Sequence, residues 1–135
     1  MTTFESIKTT VEANSESVFQ FIYNINNHQK LMPNAVSEWW SDNDEAKLKI
    51  QGLGSLHLKR TESISPSFIK IVPEGKAAVD MHLEWAIQTS GNISEVSVTI
   101  FADLNMMMKM VASKPLQNLA DYMSAQVKNA MQNPV

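Results

Sequence analysis

The sequence predicts an α+β domain in which a curved antiparallel sheet of seven strands surrounds a long C-terminal helix, with two short helices between strands 1 and 2. Three observations predict it. Turn-forming clusters divide the middle of the chain into six short runs, several of which alternate apolar and polar residues. A capped helical stretch follows the first strand. The C-terminal part carries a single apolar stripe at spacings of three and four.

In chain order, TFESIKTTVE reads as the first strand. In the next stretch, NSESVFQFIYNINNHQKLMP, Asn14 or Ser15 caps a helix that carries Val18, Phe19, Phe21 and Ile22, and a second short helix ends before Pro33. The turn clusters SDND (41–44), QGLGS, SPS (65–67), PEGK and TSGN then bound runs at about 36–41, 45–51, 55–64, 67–73, 78–89 and 93–104. In the fifth run Val79, Met81, Leu83, Trp85 and Ile87 face one way, with Asp80, His82, Glu84 and Gln88 interleaved. In the sixth, Val96, Val98, Ile100, Ala102 and Leu104 repeat the pattern, so one face is buried and the other wet. Short turns between consecutive strands make an antiparallel meander. After it, Asn105 caps a short helix over the methionines, and Ser113 with Pro115 restarts a longer one. The stripe Leu116, Leu119, Ala120, Met123, Val127, Ala130 and Met131 makes that helix the cover for the apolar face of the sheet.

Composition sets the outer limits. Residues 1–135 fit a single domain, and a domain of this size buries roughly two-thirds of its unfolded surface. A net charge of -3 with no basic run longer than Lys59-Arg60 argues against a nucleic-acid partner. The lack of cysteine excludes disulfides, thiolate metal sites and a cysteine nucleophile. The N-terminal MTTFESIKTT has no basic region followed by an apolar stretch, and no window approaches the ~20 apolar residues of a membrane span, so the expected location is cytoplasmic.

The order of elements, with VEANSESVFQFIYNINN and the closing amphipathic helix, resembles the START-like or SRPBCC superfamily, which includes polyketide cyclase and dehydrase-like and plant allergen-like helix-grip proteins. The likeness covers nearly the whole chain. Its most specific part is the first strand followed by Ser15-Glu16-Ser17-Val18-Phe19, an Asn-rich stretch and Leu31-Met32-Pro33. The resemblance implies a helix-grip fold, commonly with an apolar cavity between sheet and helix for a lipid, hormone, polyketide or other small hydrophobic molecule. It implies no single activity, because members bind and carry ligands, cyclise or dehydrate them, or act on partner proteins.

Several constellations bear on chemistry. LNMMMKM holds four of the nine methionines, and thioethers prefer soft metal ions. Yet there is no Cys, and His28, His57 and His82 fall on separate elements, so neither metal nor cofactor is expected. Flexible thioethers also fill gaps where helix meets sheet. On a helix Met106 shares a face with Met110 and Met107 with Val111, so the segment reads as core plus cavity edge, with Met107 among the lining residues. Asp80, His82 and Glu84 are placed by alternation on the solvent face.

In SLHLKRTES, alternation from Leu56 and Leu58 carries Arg60 and Glu62 inward. Either the strand end passes the rim and both reach water, or Arg60, paired with Glu62 or Glu38, orients an apolar ligand bearing a carboxylate or keto oxygen. Of the adjacent tryptophans, parity with Val36 puts Trp40 inward and leaves Trp39 on the convex face, under a loop or at an oligomer contact. No nucleophile elbow or phosphate-binding loop is present, and Glu38, Arg60 and Tyr122 are the candidate acid–base groups.

The leading expectation is a binding or transport protein for a small hydrophobic or amphipathic ligand, contacted by Trp40, Leu58, Arg60, Met81, Leu83, Trp85, Met107, Leu119 and Met123. An interaction module or homodimeric subunit using Trp39 and part of Met106–Met110 ranks second. A cyclase or dehydrase-type enzyme on the same scaffold ranks third.

Overall fold

A computed structural model describes residues 1–75 and 79–132 of the chain. Strands β1 (Thr2–Glu5) and β2 (Thr9–Val11) precede helix α1 (Ser15–Tyr23) and a 3-10 helix (Ile25–Leu31). The meander follows as β3 (Val36–Ser41), β4 (Glu45–Ile50), β5 (Gly54–Ile64), β6 (Phe68–Pro73), β7 (Met81–Ser90) and β8 (Ile93–Ala102), and helix α2 (Met106–Gln132) closes the fold. Ala78, the first residue of the fifth predicted run, lies outside the described residues.

The strands form one antiparallel sheet in the order β1-β8-β7-β6-β5-β4-β3, with β2 also paired to β8. The expected first strand is thus interrupted. Ser6 Oγ accepts from Val98 N and donates to the carbonyl of Ile7, and this local detour separates β1 from β2 along one neighbouring strand. The meander itself follows the predicted runs closely, because each glycine-containing turn supplies a positive φ, between 65° and 93° at Gly52, Gly54, Gly75 and Gly91.

The 3.6-residue periodicity of α1 puts Val18, Phe19 and Ile22 into the core, and Asn14 caps it by accepting from Ser17 N at 2.8 Å. Asn24 both ends α1 and caps the 3-10 helix, where spacing three buries Ile25, His28 and Leu31 on one side. α1 packs on β6, β7 and β8, while α2 packs on β1, β2, β8 and the 3-10 helix. Together they cover the concave face.

α2 is one continuous helix, not a short helix followed by a restart. Asn105 caps it, accepting from Met108 N at 2.8 Å. Pro115 removes only the bond that would reach back to the carbonyl of Val111, and Val111 is solvent-exposed, so water can satisfy that carbonyl and the helix runs on. The predicted stripe is the buried face: Leu116, Leu119, Ala120, Met123 and Val127 are in the core, with Ala130 and Met131 at its edge. Ser124, fully buried, pins this face to the sheet. Its Oγ donates toward the carbonyls of Ile7 (2.9 Å) and Val96 (3.1 Å) and lies 3.0 Å from Thr9 Oγ1. No helix among the described residues is long and apolar enough to cross a membrane.

Candidate functional site

An apolar cavity lies where the 3-10 helix and α2 meet the concave sheet. β4 contributes Ala46, Leu48 and Ile50, β5 Leu58, β6 Ile71, and β7 Met81 and Leu83. Leu119 and Met123 of α2 form the opposite wall, and Ile25 and His28 of the 3-10 helix form one end. Met32 and Trp39 complete the lining; they alone among these residues are half-exposed, which makes them its mouth. The enclosed volume is about 30 Å³, room for a water or two.

Five of the predicted site residues line this space: Leu58, Met81, Leu83, Leu119 and Met123. Trp85 is fully buried deeper in the core, with its ring 5.8 Å from that of His28 and nearly perpendicular to it. Among the described residues its Nε1 is the one enclosed side-chain nitrogen or oxygen without a hydrogen-bond partner.

Trp40 is not inward. It is 49% exposed, with Lys47 Nζ 5.4 Å from its ring centroid, and Trp39 takes the interior position. The cause is a bulge: the register runs from Ser37↔Lys49 to Trp40↔Lys47, so Glu38 and Trp39 together oppose Leu48. Glu38 adopts φ 52° there, and the extra residue inverts the parity after Val36. Trp39 Nε1 donates to Ser41 Oγ at 2.9 Å, which satisfies its polar end beside the apolar mouth.

Met107 is not at the cavity either. Met106, Met107 and Met110 are all more than three-quarters exposed, whereas Leu104 is buried in the core and Met108 packs against it. The sheet leaves the start of α2 uncovered, so Leu104 and Met108 meet the core while the other methionines of LNMMMKM form a solvent-facing apolar surface and none lines the cavity.

Arg60 follows the alternation inward, but to a different end. Its guanidinium carbon sits 3.6 Å from the Tyr23 ring centroid; Nη1 donates to the carbonyls of Tyr23 and Asn43, and Nη2 binds Asp44. Its partner is therefore neither Glu62 nor Glu38. A register shift between Arg60 and Ser63 turns Glu62 outward, and Glu38 lies 4.0 Å from Lys49 on the surface. Tyr122 is likewise exposed, its OH accepting from Gln126 Nε2. Asp80 is exposed, while His82 stacks on Phe101 at 4.6 Å and lies 3.8 Å from Glu84 on the outer face of β7.

His28 enters the sequence analysis only as a metal-ligand candidate, yet it lines the cavity. It is 2% exposed, and its Nε2 is 2.9 Å from the carbonyl oxygen of Ile22. A carbonyl only accepts, so Nε2 carries the proton and Nδ1 is the bare nitrogen. Burial, reinforced by the positive charge of Arg60 and opposed by the bond to Ile22, pushes its pKa down from 6.5 to about 4. The signal was present in the spacing of Ile25, His28 and Leu31, which marks one side of a 3-10 turn. Ala46, Leu48 and Ile50 were similarly readable in the alternation of EAKLKI.

No protein-family profile matches the chain, and a search of curated proteins finds no match. Solved structures do resemble it. The solution structure of KanY superposes with a TM-score of 0.76 over 98% of both chains at 11% identity. The di-domain ARO/CYC protein BexL, from the BE-7585A biosynthetic pathway, matches 98% of this chain over 47% of its own, with a TM-score of 0.72 and 13% identity. A START superfamily protein from Mycobacterium smegmatis matches at TM-score 0.65 and 14% identity, over 94% of this chain and 97% of its own. The chain has the START-like, SRPBCC-type helix-grip fold.

Proposed function

We propose that this protein binds a small, predominantly apolar molecule between its sheet and its helices. The observation that carries the reading is the cavity wall: apolar side chains from five strands, the 3-10 helix and α2 converge on one space, with a single buried histidine among them. The fold shared with a START superfamily protein and with BexL supports it. Drug-sized ligands occupy pockets of roughly 300–1,000 Å³, far above the about 30 Å³ enclosed here. Anything larger than a water or two enters by re-packing the wall, and Met32, Met81 and Met123 are the flexible residues suited to that.

Native mass spectrometry of the gently purified protein, followed by extraction, tests the reading. A discrete bound mass that disappears in an Ala46→Ile variant, which fills the cavity, is the expected result. A clean unliganded mass that persists after exposure to fatty acids, sterols and polyketide-like aromatics overturns it. The exposed Met106, Met107, Met110 and Val111 favour a second reading, an interaction surface on α2. Catalysis ranks below both, since Glu38, Arg60 and Tyr122 all lie outside the cavity wall and His28, with a pKa of about 4, is a weak base.

A further inference from the structure

We propose that Nδ1 of His28 is the hydrogen-bond acceptor of the cavity, and that the cavity therefore selects small apolar molecules bearing one hydroxyl or N–H donor, such as phenols and indoles. The inference rests on the cavity-binding reading and gives it a ligand class.

Nε2 of His28 is committed to Ile22, and Nδ1 has no hydrogen-bond partner among the described residues. It is not sealed off, however. Among those residues the side-chain nitrogen or oxygen both enclosed and unpartnered is Trp85 Nε1 and not His28 Nδ1, which accords with Nδ1 bordering open space. The residue is 2% exposed and forms part of the cavity wall, so the cavity is the space assigned to Nδ1.

The rest of the wall offers no competitor. Its other side-chain nitrogen, Trp39 Nε1, is bonded to Ser41, and the methionine sulfurs accept only weakly. A lone-pair acceptor in an apolar wall discriminates by sign. A donor satisfies it, whereas a ketone or ether oxygen would set one lone pair against another. Carboxylates are disfavoured too, because Arg60, the cation whose charge reaches His28, is engaged by Tyr23, Asn43 and Asp44. Water is a poor occupant, since a buried water typically needs about three hydrogen bonds and the side chains here offer a single strong partner. Burial keeps the imidazole neutral at ordinary pH, so the acceptor persists.

Matched pairs on the intact protein test this: phenol against toluene, and indole against indene, by calorimetry and by nitrogen-15 spectra of the histidine rings. The donors should bind about fivefold tighter, the effect of one neutral hydrogen bond, and should shift the Nδ1 resonance of His28 where toluene and indene do not. Equal affinities with an unmoved Nδ1 resonance overturn the inference and leave the cavity reading standing. Failure of all four probes to bind overturns the inference, and the cavity reading falls with it when native mass spectrometry also finds no bound mass. A His28→Phe variant should keep toluene and indene binding and lose the preference; a preference retained in that variant also overturns the inference, and the wild-type comparison stands if the variant does not fold.

Discussion

Acid should weaken this fold through His28 more than through any ordinary histidine. In the unfolded chain the imidazole titrates near 6.5, whereas in the folded protein burial holds it to about 4. Between those values the unfolded chain binds the extra proton, so stability rises with pH across the window and is lost as pH falls through it. The gap of 6.5 to about 4 corresponds to about 3 kcal/mol in full, of which about 2 kcal/mol falls between pH 7 and pH 5. Urea unfolding followed by tryptophan fluorescence at those two pH values measures the loss. The same pair of experiments on His28→Phe removes the carboxylate contributions common to both proteins. The variant should be less stable at pH 7 by about 1–3 kcal/mol, since the carbonyl of Ile22 loses its partner, yet should lose about 2 kcal/mol less on acidification. An identical drop in both proteins would refute the reasoning.

Other changes test other parts of the fold. Ser124→Ala should cost about 1–3 kcal/mol in denaturant unfolding, because the buried carbonyl of Val96 loses a donor and Thr9 Oγ1 loses its hydroxyl partner. Met123→Ala should cost about 2–5 kcal/mol, whereas Met107→Lys should stay within about 0.5 kcal/mol, which separates a core methionine from an exposed one by thermal melting. Glu38→Gly should be close to neutral at φ 52° and Glu38→Val destabilising by at least about 1 kcal/mol; equal effects in thermal melts would show that the bulge does not require the left-handed region.

The fold was legible where a local rule had no competitor. Alternation and glycine turns marked β4 through β8, and the spacing of Leu116 to Val127 marked the gripping helix, because burial on one side acts over many residues at once. Five cavity residues follow from the same two periodicities. The errors fall where one residue alters the count. Glu38 adds a residue to β3 and exchanges the roles of Trp39 and Trp40, and nothing in VSEWWS announces it. Met107 was assigned by composition, but exposure depends on how far the sheet reaches along α2, a tertiary property. For Arg60 the alternation left two outcomes open, a rim position in water or an inward one, and its destination depended on α1 and the β3–β4 turn meeting above it.

That meeting has a kinetic consequence. Arg60 ties the end of α1 to the β3–β4 turn, and beside it Ile25 N donates to Asn43 O at 3.0 Å while Asn26 bonds Ser41 and Asn43. The backbone rim is thereby fastened on both sides of the mouth. Trp39 is tethered through Ser41, which leaves the unbranched Met32 as the side chain freest to swing. For a bound guest of the kind proposed, passage would then be timed by rotamer changes, which are orders of magnitude faster than the hinge motions of domains. On the proposed binding reading, the protein would behave as a sieve with a fixed frame: guests that clear one methionine would exchange rapidly, and bulkier ones would wait for the frame itself to part.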